Sequence, residues 1–146
     1  MSVCGGVTIL LSGIGCGSGG EVTAGATVTV YVSAPLCAGA KDELGRRGGS
    51  ADAVRVRVAC LEDAQRGGRL DLATTGANAR RATEDSTAVG LAARPGREAA
   101  FARPILTEAG IALITSRSGA RAIDKVLADL TSRGDSSPRE AVAKAQ

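Results

Sequence analysis

The chain has 146 residues, a net charge of +3 at neutral pH and a hydrophobic fraction of 44%. Tyr31 and Phe101 are its only aromatic residues, which argues against base-stacking surfaces and aromatic-lined pockets, and the dispersed positive charge is too small to indicate nucleic-acid binding. Histidine is absent, which excludes His-containing zinc sites and removes the usual partner of a catalytic nucleophile. We therefore expect no enzymatic activity, no cofactor and no nucleic-acid partner.

The first twenty residues admit two main interpretations. An apolar run over residues 3–14, a small Gly15 and then Cys16 fit the end of a secretory signal with a lipid-accepting cysteine. Alternatively, Gly15, Gly17 and Gly20 satisfy the G-x-G-x-x-G pattern of a dinucleotide-binding loop. A buried N-terminal strand is a third interpretation of the apolar run.

The segment after Gly20 favours export. A dinucleotide loop opens directly into a helix, whose N-terminal amides face the pyrophosphate. Here Thr27–Val32 alternates β-branched residues and predicts a strand instead. We therefore expect a signal leader over residues 1–16 that ends at a lipidated Cys16, and a Gly/Ser-rich tether over residues 17–25.

The body of the chain, residues 26–132, alternates predicted strands with predicted helices. The predicted strands are Thr27–Val32, Val54–Leu61, Thr87–Ala92 and Ile111–Ile114, and the predicted helices are Cys37–Arg47, Leu70–Glu84, Arg97–Ala109 and Gly119–Ser132. We expect a bend or restart at Pro104, and in residues 133–146 a polar linker with a short helix over Glu140–Lys144. This alternation indicates βαβ units, and hence a three-layer α/β/α, Rossmann-like fold with a parallel sheet of about four strands. Every strand-to-helix loop then lies at one edge, where such sheets bind ligands.

Two of the four cysteines are placed where a disulfide can form. Cys37 follows the first predicted strand, and Cys60 lies at the end of the second. If these strands are parallel neighbours, a bond between the two thiols closes about 23 residues and stabilises the chain by roughly 3 kcal/mol. Such a bond indicates an oxidising compartment, whereas two buried free thiols are the alternative.

Glu62 and Asp63 follow the second predicted strand. They would suit a metal site or an acid–base pair, but the sequence provides no third ligand or histidine beside them. A turn or helix cap is the interpretation we favour.

Several sequence segments occur in the same order as similar segments in a known protein family. The strongest match is Pro104–Ile111, which reads P-I-L-T-E-A-G-I and leads into the fourth predicted strand. This match lies within the segment Phe101–Ser118, and the other segments are Thr27–Pro35, Val56–Asp63, Asn78–Arg81 and Asp85–Val89. Over residues 26–130 the chain resembles the first lobe of bacterial periplasmic substrate-binding proteins of the branched-chain amino acid type, which serve ABC importers. The resemblance implies a flavodoxin-like strand order, 2-1-3-4, and a ligand at the carboxyl edge, here on a single lobe.

The resemblance also implies candidate ligand-binding residues. In the family, hydroxyl side chains after the third and fourth strands hold the ligand's carboxylate and ammonium groups. Thr115, Ser116, Arg117 and Ser118 follow the fourth predicted strand, whereas residues 92–96 provide no hydroxyl. Arg94 and Arg117 are candidates for a cationic rim that favours an anion. The alternative is that both arginines are solvated loop charges and Ser118 caps the last large helix.

Many members of this family are lipoproteins, and Cys16 with its Gly/Ser-rich tether is similar to their anchor. The implied function is an exported, membrane-anchored solute-binding protein on the outer face of the cell membrane or in the periplasm. Its implied partners are a free amino acid or small anion and the permease of an ABC importer. The alternative is an interaction module that forms a homodimer or docks on another envelope protein without binding solute.

Overall fold

The computed structural model describes residues 25–132 and 138–144, so the predicted leader, Cys16 and most of the tether lie outside the described residues. The elements in chain order are β1 (Thr27–Val32), α1 (Ala34–Arg46), β2 (Ser50–Ala51), β3 (Val54–Cys60), β4 (Gln65–Arg66), β5 (Arg69–Leu70), α2 (Leu72–Glu84), β6 (Ala88–Ala93), α3 (Arg97–Glu108), β7 (Ala112–Thr115), α4 (Gly119–Ser132) and α5 (Pro138–Lys144).

The main sheet has five strands in the order β2-β3-β1-β6-β7. β3, β1, β6 and β7 are parallel, and among themselves they have the 2-1-3-4 order expected for the four predicted strands. The complete sheet differs from the expected one because β2 adds an antiparallel edge strand beside β3. Gly48 and Gly49, at φ 79° and 73°, end α1 and turn the chain back, and Asp52 at φ 49° closes the turn into β3.

Helices cover both faces of this sheet. Because side chains alternate along β1, Val30 and Val32 point to the face covered by α1, α4 and α5, whereas Tyr31 points to α2 and α3. Apolar residues of β6 are buried on both faces, since this strand lies inside the sheet. The protein is therefore a three-layer α/β/α domain, as the sequence predicts.

Two helices differ in detail from their predictions. α1 begins at Ala34 rather than Cys37, because Pro35 is well suited to the first turn of a helix. α3 is one helix that continues through Pro104, so the restart predicted there is wrong. Ala102 and Leu106, on either side of Pro104, are both buried against the sheet and keep the helix continuous across the missing hydrogen bond.

The C-terminal helix α5 is part of the packed structure. Val142 is buried in the core on the α1–α4 face, and α5 contacts β6, β7 and α4. The guanidinium of Arg139 donates a hydrogen bond of 3.1 Å to the carbonyl of Ala88. Across residues 25–132 and 138–144, no helix has the length and apolar content that a bilayer span requires.

Cys37 and Cys60 form a disulfide, with 5.6 Å between their Cα atoms. The parallel register places Cys60 opposite Val32, the last residue of β1, so the bond joins the end of β3 to the first turns of α1. The predicted pairing is confirmed, and the alternative of two free thiols at these positions is wrong. The bond lies at the carboxyl edge of the sheet, beside the loops described next.

Candidate ligand-binding cleft

The strand order of the sheet reverses between β1 and β6, which are neighbours in the middle of the sheet. From β1 the chain crosses through α1 to β3 on one side, and from β6 it crosses through α3 to β7 on the other. The loops after β1 and β6 therefore separate at the carboxyl edge, which is the usual ligand position in open α/β sheets. A cleft of about 540 Å³ opens there between Pro35, the β4–β5 hairpin and residues 94–98.

A second hollow, of about 640 Å³, lies at the opposite edge between β2 and α4. Its charged lining residues are Arg47, Asp52 and Asp124, and Arg47 pairs with Asp124 at 2.7 Å. The one cationic side chain of this hollow, Arg47, is thus neutralised within the protein. The cleft at the carboxyl edge is therefore the better candidate for a ligand.

The β4–β5 hairpin forms one wall of the cleft, and Asp71 anchors it. The Asp71 carboxylate accepts hydrogen bonds from the amides of Ala73 and Thr74 at the start of α2, and Arg66 on the hairpin donates to it at 3.0 Å. The hydrogen bonds from Thr74 lower the pKa of Asp71, so it stays ionised in this role. Gly67 and Gly68, both at positive φ, make the tight turn that presents Arg69 to the cleft.

Residues 94–98 form the facing wall. β6 ends at Ala93, and Gly96 then starts α3 with a φ of 140°, a conformation that favours glycine. No side chain caps this helix start, and a Cβ at Gly96 would meet nothing within 4 Å. The first amides of α3 are thus open to the cleft side without a protein cap.

The cleft is rich in unpaired positive charge. Arg69, Arg94 and Arg97 line it, and in the described part of the chain none of them forms an ion pair. Glu98 is the one acidic side chain of the lining. Burial raises the pKa of Glu98, the nearby negative charge of Asp63 raises it further, and Arg94 opposes both effects.

Ser33 lies beside the cleft, at the junction of β1 and α1. Its amide donates a 2.9 Å hydrogen bond to the carbonyl of Ala92, which ties the ends of β1 and β6 together. The residue is only 1% exposed, and its hydroxyl has no hydrogen-bond partner among the described residues. Buried hydroxyls are normally paired, so Ser33 is an exception, and it lies behind the cleft rather than in its lining.

The structure divides the predicted ligand residues into two groups. Arg94 lines the cleft, whereas Thr115 at the end of β7, and Ser116, Arg117 and Ser118 in the loop after it, are not part of its lining. The two loops are joined where the amide of Ser116 donates to the carbonyl of Ala93 at 3.0 Å.

The two serine hydroxyls after β7 already have hydrogen-bond partners in the loop and in the first turn of α4. Ser116 Oγ donates to the carbonyl of Ser118 and accepts from its amide, at 2.8 and 3.1 Å. Ser118 Oγ accepts from the amide of Arg121 at 3.5 Å, a long contact at the start of α4 that accords with the capping alternative. Thr115 and Arg117 are exposed at this edge.

Sequence reasoning missed Arg69, Arg97 and Glu98. The pair Gly67-Gly68 predicts a turn, and Arg69 directly after it was the available signal for a cationic hairpin. Asp63 accepts a 2.9 Å hydrogen bond from the amide of Gln65, so the turn interpretation of this acidic pair holds for Asp63. Within the described residues, no group of three or more metal-ligating side chains is present.

Comparisons with protein-family models, with curated proteins and with solved structures find no match to this chain.

Proposed function

We propose that this chain is a solute-binding domain of the kind that serves ABC importers of branched-chain amino acids, and that it holds a small ligand without chemical conversion. The ligand is an amino acid or a small anion, and its place is the cleft between the hairpin and residues 94–98. The observation that carries this proposal is the position of the cleft, at the reversal of the strand order, with unpaired arginines on both of its walls.

The lining residues favour binding over catalysis. Guanidinium groups donate hydrogen bonds and stay protonated, so Arg69, Arg94 and Arg97 suit the retention of an anion rather than proton transfer. The chain contains no histidine to act as a general base near neutral pH.

Export is the second part of the proposal. The disulfide between Cys37 and Cys60 is typical of proteins that fold outside the cytoplasm. We propose that Cys16 becomes the lipidated N-terminus and that the anchored domain delivers ligand to a permease. The intact mass of the chain from a bacterial host tests this directly: loss of residues 1–15 with a diacylglyceryl group on Cys16 supports it, and an unprocessed Met1 contradicts it.

Thermal unfolding in the presence of candidate solutes tests the binding part. A ligand at about a hundredfold excess over its Kd stabilises the folded state by about 2.7 kcal/mol, which raises Tm by several degrees. We expect at least one solute in a panel of amino acids and small anions to do this for the wild-type chain and for Arg103→Gln. Arg103 is exposed on α3 and outside the cleft lining. Arg94→Gln should lose the effect, and a panel that leaves Tm unchanged contradicts the proposal.

An interaction module is the second candidate, and one observation favours it. Leu72 and Phe101 are 46% and 38% exposed, and Gly76, one helical turn after Leu72, faces the ring of Phe101. The two apolar side chains therefore lie on the same α2–α3 face. If this face mediates assembly, light scattering will show concentration-dependent association that Phe101→Ser abolishes, with no solute raising Tm.

A further inference from the structure

We propose that the cleft is built for a phosphate group, carried by a small phosphate monoester or present as free phosphate, which binds at the start of α3 between Arg94, Arg97 and Arg69. This inference rests on the proposed solute-binding function and names the chemical class of the ligand. Three features of the cleft support it: its net charge, its hydrogen-bond donors, and the presence of only one acidic side chain in its lining.

The net charge of the lining matches a dianion. The lining contains three guanidinium groups and one carboxylate, which together leave a charge of +2 when Glu98 is ionised. A phosphate monoester carries about −1.5 to −2 charges near neutral pH, so one such group neutralises the cleft. A zwitterionic amino acid carries no net charge and leaves it uncompensated.

The donors come from both walls of the cleft. Arg69 belongs to the hairpin wall, Arg94 to the loop after β6, and Arg97 to the first position of α3. Guanidinium groups bind phosphate oxygens in a bidentate manner, and each such charge-assisted hydrogen bond is stronger than a neutral one. A tetrahedral phosphate offers several acceptor oxygens to donors on different sides, whereas a planar carboxylate offers two.

The start of α3 adds backbone donors. Its first amides have no side-chain cap, and Gly96 places no Cβ between them and the cleft. Helix N-termini of this kind stabilise phosphate groups through these amides and the helix dipole.

The alternative ligand, a free amino acid, needs an acidic partner for its ammonium group. Glu98 is the only such side chain in the lining, and its burial and the nearby Asp63 raise its pKa, while Arg94 opposes both effects. An ammonium group placed there also lies among three guanidinium groups, whose like charge repels it. The cleft therefore suits an anion better than a zwitterion.

Isothermal titration of the full chain with inorganic phosphate, glycerol phosphate and L-leucine, in a chloride buffer near neutral pH, tests the inference. We expect both phosphate compounds to bind with one site and L-leucine to give no heat of binding. Tighter binding of glycerol phosphate identifies a monoester site, and equal or tighter binding of inorganic phosphate identifies a free-phosphate site. Arg94→Gln and Arg97→Gln should each weaken binding by roughly tenfold or more, since a charge-assisted hydrogen bond contributes about 1.5–3 kcal/mol.

Arg103→Gln is the matched control, because it removes the same charge from the same helix outside the cleft. If it weakens phosphate binding as much as Arg97→Gln does, the attraction is general and the inference is wrong. Binding of L-leucine without binding of either phosphate compound also overturns the inference, while it leaves the proposed solute-binding function standing. If none of the three compounds binds, the phosphate inference is wrong. The proposed solute-binding function is then tested separately by thermal unfolding with the wider panel of amino acids and small anions.

Discussion

Gly119 and Ala40 bring the backbones of two helices into direct contact. A Cβ at Gly119 would lie 2.6 Å from the amide nitrogen of Ala40, a distance that real side chains do not tolerate. Gly119 is the first residue of α4, and Ala40 lies in the middle of α1, whose N-terminal end carries Pro35 of the cleft and Cys37 of the disulfide. The position of α1 on the sheet therefore depends on a residue without a side chain.

Gly119→Ala should lower the free energy of unfolding by about 1–3 kcal/mol, because α1 and α4 must move apart to admit the methyl group. Gly39→Ala is the control on the opposite side of the same crossing. Its Cβ would lie 3.8 Å from the nearest atom, an ordinary contact. Because alanine favours a helix over glycine by about 0.5–1 kcal/mol, this variant should be neutral or more stable in urea unfolding. Equal stability of both variants would show that the close approach is absent.

Loss of the Cys37–Cys60 disulfide should lower the free energy of unfolding by roughly 3 kcal/mol, since the bond closes a loop of about 23 residues in the unfolded chain. The measurement is urea unfolding of the double variant Cys37→Ser/Cys60→Ser against its parent. Both should carry Cys4→Ser and Cys16→Ser, so that no other thiol contributes. A parent protein that reacts with thiol reagents before reduction contradicts the assignment.

Glu98 makes the stability depend on pH in a defined direction. Its pKa is raised in the folded chain, so folding favours the protonated form, and ionisation lowers the free energy of unfolding as the pH rises through that value. Glu98→Gln should therefore be more stable than the wild type near neutral pH. The difference should vanish below about pH 3.5, where an unfolded glutamate, with a pKa of about 4.3, is also protonated. Glu108→Gln, which removes an exposed carboxylate from the other end of the same helix, is the matched control.

Tyr31 reports on the polar contact at the end of α2. Its hydroxyl donates to Asp85 at 2.9 Å, and burial together with this carboxylate raises the pKa of Tyr31. It is the only tyrosine of the chain, so near-ultraviolet absorbance follows its ionisation alone. Asp85→Asn should lower the measured pKa of Tyr31 because it removes the negative charge. An unchanged titration would show that burial alone sets it.

Much of the fold follows from the sequence because its strands are long enough to show a pattern. Thr27–Val32 alternates β-branched residues, and the positions of Cys37 and Cys60 at strand ends indicate their pairing once neighbouring parallel strands are assumed. β2 and the β4–β5 hairpin could not be predicted, because strands of two residues are too short to show a hydrophobic periodicity.

The cleft is less predictable than the fold. Arg94 is indicated by its position after a strand, but Arg69, 25 residues earlier in the chain, lines the same cleft only because of the hairpin. Ser116 and Ser118 have the right residue type at the right edge, yet the Ser116 hydroxyl bonds to the backbone of Ser118 and the Ser118 hydroxyl accepts from Arg121 in the first turn of α4. Which side chains face a ligand is thus decided by tertiary contacts that a linear pattern does not contain.

The central claim is that a small phosphate-bearing solute binds between the hairpin and the start of α3. Amide chemical-shift mapping of the isotope-labelled full chain, titrated with glycerol phosphate, tests it most directly. We expect saturable shifts at residues 65–70 and 94–98, with smaller changes at Ser33 and none that saturate at Arg103. Shifts centred on residues 115–118 with residues 94–98 unchanged, or no saturable shift anywhere in the chain, would contradict it.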